Sequence, residues 1–469
     1  MKSNQKYLAP VAAGLAFLAS YGFFQFAYPY HIMRREQMNL FLFDWDYIRQ
    51  TYTGVGWLAR FVSDFIDQFF LLPVVGPVVV ALLVTAIAVC AYRICRHFLG
   101  KWPSLAVGAA FFLWSFFRET DNLYLTRYTV ATLLFLVLIL IALKFRKAWM
   151  KAAAAVLLLA LGVWSLGSPV HKYYGRAWGW PKFEYDKIIG LDTEIYRENW
   201  DKVIKRSKDD LKMTEASYCY NLAHAMKGDL PENLFEYSQN YANSIFLWIT
   251  TDLSQFSASM AGEAWFHLGE MTLAEQSAMI ALQASPKHTG ARYIERLARV
   301  NLATGEKGAS QKYLEILSKT LFYGKWARDI LNGHPDEATR AWVEDTHSKL
   351  SNPETDYVYG NNLLRPVLTG LLDANPSNAL AREYLLVYDL MTFDLDHFMD
   401  DYSPETDTAP IFQEAVTVWL SMNEGLNAEN AAKYGISTSM LNRLERFSRY
   451  PDNYRNTYWY YCMRAMNRL

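Results

Sequence analysis

The feature that most limits what this chain can fold into lies at residues 144–174, where Lys144, Arg146, Lys147 and Lys151 lead into an apolar run over 152–166. His171, Lys172, Tyr173 and Tyr174 follow it. Before this junction nearly every long stretch is apolar enough for lipid, and after Ser168 no comparable segment occurs. A spanning helix needs about 20 apolar residues, so the junction reads as the last membrane crossing. Earlier apolar runs at 7–28, 71–92, 102–117 and 123–143 bring the expected number of spans to five. The run 7–28 follows Lys2 and Lys6 as a signal peptide would, but it is too long and Tyr21, Gly22, Phe23 and Phe24 leave no cleavage site. It is expected to remain as the first span.

Charge gives the expected direction of these spans. The net charge of −1 conceals 15 Lys and Arg against 7 Asp and Glu in residues 1–168, and 31 against 40 in the remainder. Lys2, Lys6, Arg93, Arg96, Lys101, Lys144, Arg146, Lys147 and Lys151 all fall on one side with no acid. Arg34, Arg35, Arg49, Arg60, Arg118 and Arg127 share the other side with all seven acids. The positive-inside rule then places the N-terminus in the cytoplasm and, after five crossings, the C-terminal part outside. An acidic aqueous part argues against nucleic acid as the main partner.

The first outer loop, 29–70, holds the candidate chemistry. Trp57, Leu58, Phe61, Val62, Phe65, Ile66 and Phe69 recur at helical spacing, with Arg60, Asp64 and Asp67 on the other face. That pattern predicts an amphipathic helix near 55–70 lying in the membrane interface. Earlier in the loop stand Glu36 and the pair Asp44 and Asp46. Carboxylates at such a place suit a membrane transferase, where one would deprotonate an acceptor or hold a divalent metal against a phosphate leaving group. The competing reading is a solvated loop, because Asp394 and Asp396 repeat the spacing well away from any apolar run. No phosphate loop, dinucleotide fingerprint, nucleophile elbow or zinc-protease motif is present. Cys90, Cys95, Cys219 and Cys462 match no metal or redox spacing, and a Cys219–Cys462 disulfide stays open for an oxidising compartment. No cofactor or metal is implied.

From 183 onward the pattern is helical. The stretch 260–286, with Gly262, Gly269, Ala274, Ala281 and Pro286, looks like a tetratricopeptide unit, two antiparallel helices brought close by small residues. Partial matches lie at 220–228, 292–317 and 375–386, at intervals longer than that family's period. One helix pair cannot bury its own apolar face, so such pairs stack, and the expectation is an irregular α-solenoid. Trp265 and Tyr384 are read as packing residues. The tail 449–461, dense in Tyr, Asn and Arg, is read as a terminal cap.

Glu36 and Gln37 near Leu40 and Phe41, the run Asp67 to Phe70, Ala381 to Leu386, and Thr457 to Tyr461 together resemble an uncharacterised family of membrane proteins of Bacteroidota. The resemblance implies a bacterial inner-membrane setting and carries no catalytic residue. The expectation is thus an all-α chain: a transmembrane bundle over 1–167, a juxtamembrane aromatic linker over 168–182, and a soluble helical-repeat domain over 183–469. Its expected role is a membrane-anchored scaffold or assembly protein, presenting a periplasmic repeat domain to protein partners. The alternative is a transferase on a lipid-linked or envelope polysaccharide, acting through Glu36, Asp44 and Asp46.

Overall fold

The computed structural model describes residues 7–121, 124–145, 152–153, 156–157, 159–160, 162–164, 179–208, 214–251, 253–350 and 364–466. Lys2, Lys6, Arg146, Lys147, Lys151 and the aromatic residues Tyr173, Tyr174 and Trp178 lie outside them. Among the described residues the chain is all-helical, with no strand. It forms two compact units. One comprises Met1–Gly190, Leu282–Ala298 and Gly308–Asp336, and the other Leu191–Ala281, Arg299–Lys307 and Glu337–Leu469.

The first unit is built on its apolar helices. Helix α1 (Leu8–Gly22) continues into a π-helical turn, Phe23–Ala27. Helices α2 (Tyr30–Gln37), α3 (Trp45–Thr51) and α4 (Trp57–Asp67) form the first loop. They are followed by α5 (Val75–Phe98), α6 (Lys101–Glu119) and α7 (Thr126–Ala142). Two helical stretches, Leu8–Ala27 and Val75–Phe98, are long and apolar enough to cross a membrane. At 1.5 Å per residue α5 measures roughly 36 Å, against a hydrocarbon core of about 30 Å. Thr126–Ala142 is apolar but shorter. The run 152–166 is described only in part; its residues 162–164 are helical, and the Trp164 carbonyl accepts a bond from the Gly56 amide at 2.9 Å.

Helix α5 packs against α1, α6 and α7. Their core joins Phe24, Tyr28, Ile32, Phe70, Val80 and Val84, walled by Phe112 and Phe116. Outside it, Leu15, Leu18, Leu82, Leu113 and Ile139 remain exposed. Apolar area of that kind on neighbouring helices is what a lipid-facing surface presents.

The second unit packs helix pairs. Gln255–Leu268 ends at Gly269, whose φ of +91° turns the chain into Met271–Ala284. Trp265 and Tyr384 are packing residues as expected: Trp265 stacks on Phe246 at 4.1 Å, and Phe246 lies 5.3 Å from the Tyr384 ring. Buried acids tie separate stretches of this unit together. Asp389 holds Arg365 at 3.2 Å, Asp407 holds Arg382 at 2.7 Å and Glu414 holds Arg443 at 2.8 Å. The tail packs inside this unit, where the Trp459 indole donates to Thr417 Oγ1 at 2.8 Å and the Tyr458 amide to Glu414 at 2.7 Å. All four cysteines are free thiols, so Cys219 and Cys462 are not bridged; Cys219 lies instead against Met260.

The close approach within the 255–284 pair gives a test. A Cβ added at Gly262 would lie 2.6 Å from the Ser277 Cβ. Gly262→Ala is therefore expected to lower stability by about 1–3 kcal/mol through overpacking. This outweighs the gain of about 1 kcal/mol that alanine brings inside a helix. Ser277→Gly in the same chain should restore part of the loss in thermal unfolding followed by circular dichroism. A stabilised Gly262→Ala variant would contradict the packing.

Candidate functional site

The polar groups of the first unit gather around the first loop, beginning with α2. Its opening amides have no cap from their own N-cap residue, Pro29. Orphan amides at a helix start need an acceptor and favour negative charge. The Asp186 carboxylate supplies both, accepting from the Tyr30 and His31 amides at 3.0 and 2.8 Å. A helix start is thus fixed by a residue over 150 positions away. The His31 ring donates through Nε2 to the Glu119 carbonyl at 2.8 Å. Burial and the nearby Arg35 charge pull its pKa down to about 3, which keeps the ring neutral.

One turn further along, Arg35 forms the central contact. Its Nη1 lies 2.6 Å from Glu119 Oε2 and 3.4 Å from Thr126 Oγ1, while Nη2 donates to the Glu119 carbonyl at 3.1 Å. The other carboxylate oxygen of Glu119 accepts from Thr129, whose hydroxyl also meets the Tyr124 phenol at 3.1 Å. Arg35 and Glu119 are 7% and 1% exposed. This pair joins α2 to the end of α6 and the start of α7, with hydrogen bonds to both charged groups.

Helix α4 corrects the expectation for the loop. It forms where its period predicts, opening at Gly56 with φ of +80°, but its polar face is not solvated. Ala59, Ser63, Asp64 and Asp67 are buried, while Trp57, Leu58, Phe61, Val62, Phe65 and Ile66 are only partly covered. Asp64 accepts from the Tyr52 phenol at 3.1 Å and pairs with Lys287 at 3.3 Å. Asp67 faces Asn39 at 3.5 Å, with Thr126, Arg35 and Glu119 nearby. Burial dominates there and pushes its pKa up to about 7, although Thr126 and Arg35 oppose the shift.

Later stretches of the same unit fasten onto this loop. The Ala291 amide donates to Asn39 O at 3.1 Å, and the Phe43 amide to Lys319 O at 2.7 Å. Buried Arg292 reaches Gln37 Oε1 at 3.2 Å, and the Leu321 amide meets Gln68 Oε1 at 3.3 Å.

The sequence candidates are distributed along this seam. Glu36 is buried and accepts from the Tyr323 phenol at 3.2 Å. Asp44 caps α3 by accepting from the Tyr47 amide at 2.9 Å, and it pairs with Lys319 at 2.7 Å. The Lys319 bond, with that amide, holds the Asp44 carboxyl below the usual carboxylate range. Asp46 is exposed in the first turn of α3. No group of three potential metal ligands occurs among the described residues. The partners that sequence reasoning missed are Arg35, Glu119 and Asp186. Charge counting had put Arg35 and Glu119 on the same side of the membrane, which was the one signal of their meeting.

The sequence profile of a family described as a family of unknown function (DUF6057) matches residues 4–175 and 168–465. No curated protein and no solved structure matches the chain.

The raised pKa of Asp67 sets a pH dependence. Because its folded value exceeds the ordinary carboxyl value of 3.8, its protonated form favours the fold. That contribution is full below about pH 4 and is lost as pH rises through about 7. Asp67→Asn is expected to flatten the corresponding slope in unfolding experiments between these limits. An unchanged slope would contradict a protonated Asp67.

Proposed function

Because the chain belongs to DUF6057, a family of unknown function whose membership supplies no activity, we propose its role from the geometry: a membrane-anchored scaffold or assembly protein presenting its later helices to protein partners. The observation that carries this reading is the use made of the first-loop carboxylates. Glu36, Asp44 and Asp64 are engaged by Tyr323, Lys319 and Lys287, all from later stretches of the same unit. A carboxylate that must accept a proton or bind a metal needs a free face. These three instead hold the chain together, and of the candidate acids Glu36, Asp44 and Asp46 only the exposed Asp46 keeps a free face, which favours anchoring over transferase chemistry.

In this reading five spans cross a bacterial inner membrane, with the N-terminus cytoplasmic and the later helices periplasmic. The apolar lengths of Leu8–Ala27 and Val75–Phe98 support the membrane setting. So does α4, whose inward polar face and partly covered apolar side suit contact with lipid rather than water. The helix pairs of the second unit, such as Gln255–Leu268 with Met271–Ala284, are the surfaces assigned to partners, in the manner of tetratricopeptide-like repeats.

Three measurements test the proposal. Crosslinking in intact membranes should recover a protein partner whose capture requires residues 183–469. The Asp44→Asn, Asp46→Asn double variant should complement a deletion fully. Loss of complementation at normal membrane abundance would favour the transferase reading instead. An enzymatic reporter fused after Lys182 should be active on the periplasmic side, and a cytoplasmic result would overturn the orientation.

A further inference from the structure

The tail of the second unit frames a cleft of about 240 Å³, just below the roughly 300 Å³ at which small-molecule pockets usually begin. It has room for one ring-sized group. Its apolar side is formed by Phe235, Tyr241 and Tyr461; the Tyr461 ring is fixed by stacking on Phe393 at 5.1 Å and by its phenol donating to Met391 O at 3.2 Å. Two guanidinium groups, Arg455 and Arg464, border the same space. Arg455 is held by Asp452 at 3.0 Å, whereas Arg464 makes no ion pair or hydrogen bond among the described residues. Such an unengaged fork matches a carboxylate or phosphate in shape and charge.

The cleft also contains an acid, Glu236, whose Oε1 accepts from Asn456 at 2.8 Å. A ligand offering only acceptors would be repelled there. An occupant that suits all three features carries hydrogen-bond donors, such as hydroxyls, as well as its negative charge, and an apolar face for the aromatic side. We infer that this cleft binds a small anionic sugar, one ring bearing a carboxylate or a phosphate. Its anion meets Arg464, its hydroxyls meet Glu236 and the Tyr460 phenol, and its ring lies against Tyr241. The inference stands independently of the scaffold reading, since a protein-presenting unit can carry a sugar site and a sugar site needs no protein partner.

The test titrates the full-length protein in detergent micelles with glucuronate, glucose 6-phosphate, neutral glucose and inorganic phosphate, followed by ligand-observed NMR. At least one of the two anionic sugars is expected to bind saturably, about tenfold or more tighter than glucose or phosphate. Arg464→Gln should weaken that binding by about tenfold, with Arg464→Lys intermediate because it keeps the charge but loses the fork. Arg455→Gln provides a second variant, and an unchanged melting temperature in either shows that the fold is intact. The inference is overturned if neither anionic sugar binds, if phosphate alone binds as tightly, or if the folded arginine variants bind as the parent does.

Discussion

A guanidinium and a carboxylate enclosed among apolar helices depend on each other, because either one alone would be a buried, uncompensated charge. Arg35 and Glu119 stand in this relation, and much of the first unit is arranged around them. The pair fixes α2 against α6 and α7, and the adjoining His31 and Thr129 bond to the backbone and side chain of the same glutamate. With α2 fixed, Gln37 and Asn39 are positioned to receive Arg292 and the Ala291 amide. Asp186 closes the other end by capping the helix start.

The loop helix α4 extends the same principle. Its buried face carries Ser63, Asp64 and Asp67, so the polar side chains of the loop point into the unit. In water that arrangement would leave a partly covered row of Trp, Leu, Phe and Ile facing solvent for no gain. Against hydrocarbon or an interface it places each group in its better medium. The two long apolar helices suit the same medium by length and composition.

Much of the helix pattern was legible in the sequence because it is local. The apolar lengths gave α1, α5, α6 and α7, and the small residues Gly262 and Ala274 marked the 255–284 helix pair. The facing of α4 was not legible, since periodicity identifies two faces without saying which one meets the interior. A helix lying in the membrane interface would turn Asp64 and Asp67 toward water, and here they turn inward. Arg35 with Glu119, and Asp186 with Tyr30, are 84 and 156 residues apart, beyond any local pattern. Likewise Glu36 and Asp44 looked available because Tyr323 and Lys319 lie nearly 300 residues downstream. Nothing in the spacing of the loop acids announces those later partners.

The first unit depends on its buried pair. The most direct measurement is a double-mutant cycle of Arg35→Met and Glu119→Leu, with unfolding free energies determined on the full chain in detergent. Each single variant should lose about 3–5 kcal/mol, and the double variant far less than the sum, because no unpaired charge remains buried. Single losses below about 1 kcal/mol, as for a solvent-screened surface pair, would contradict it.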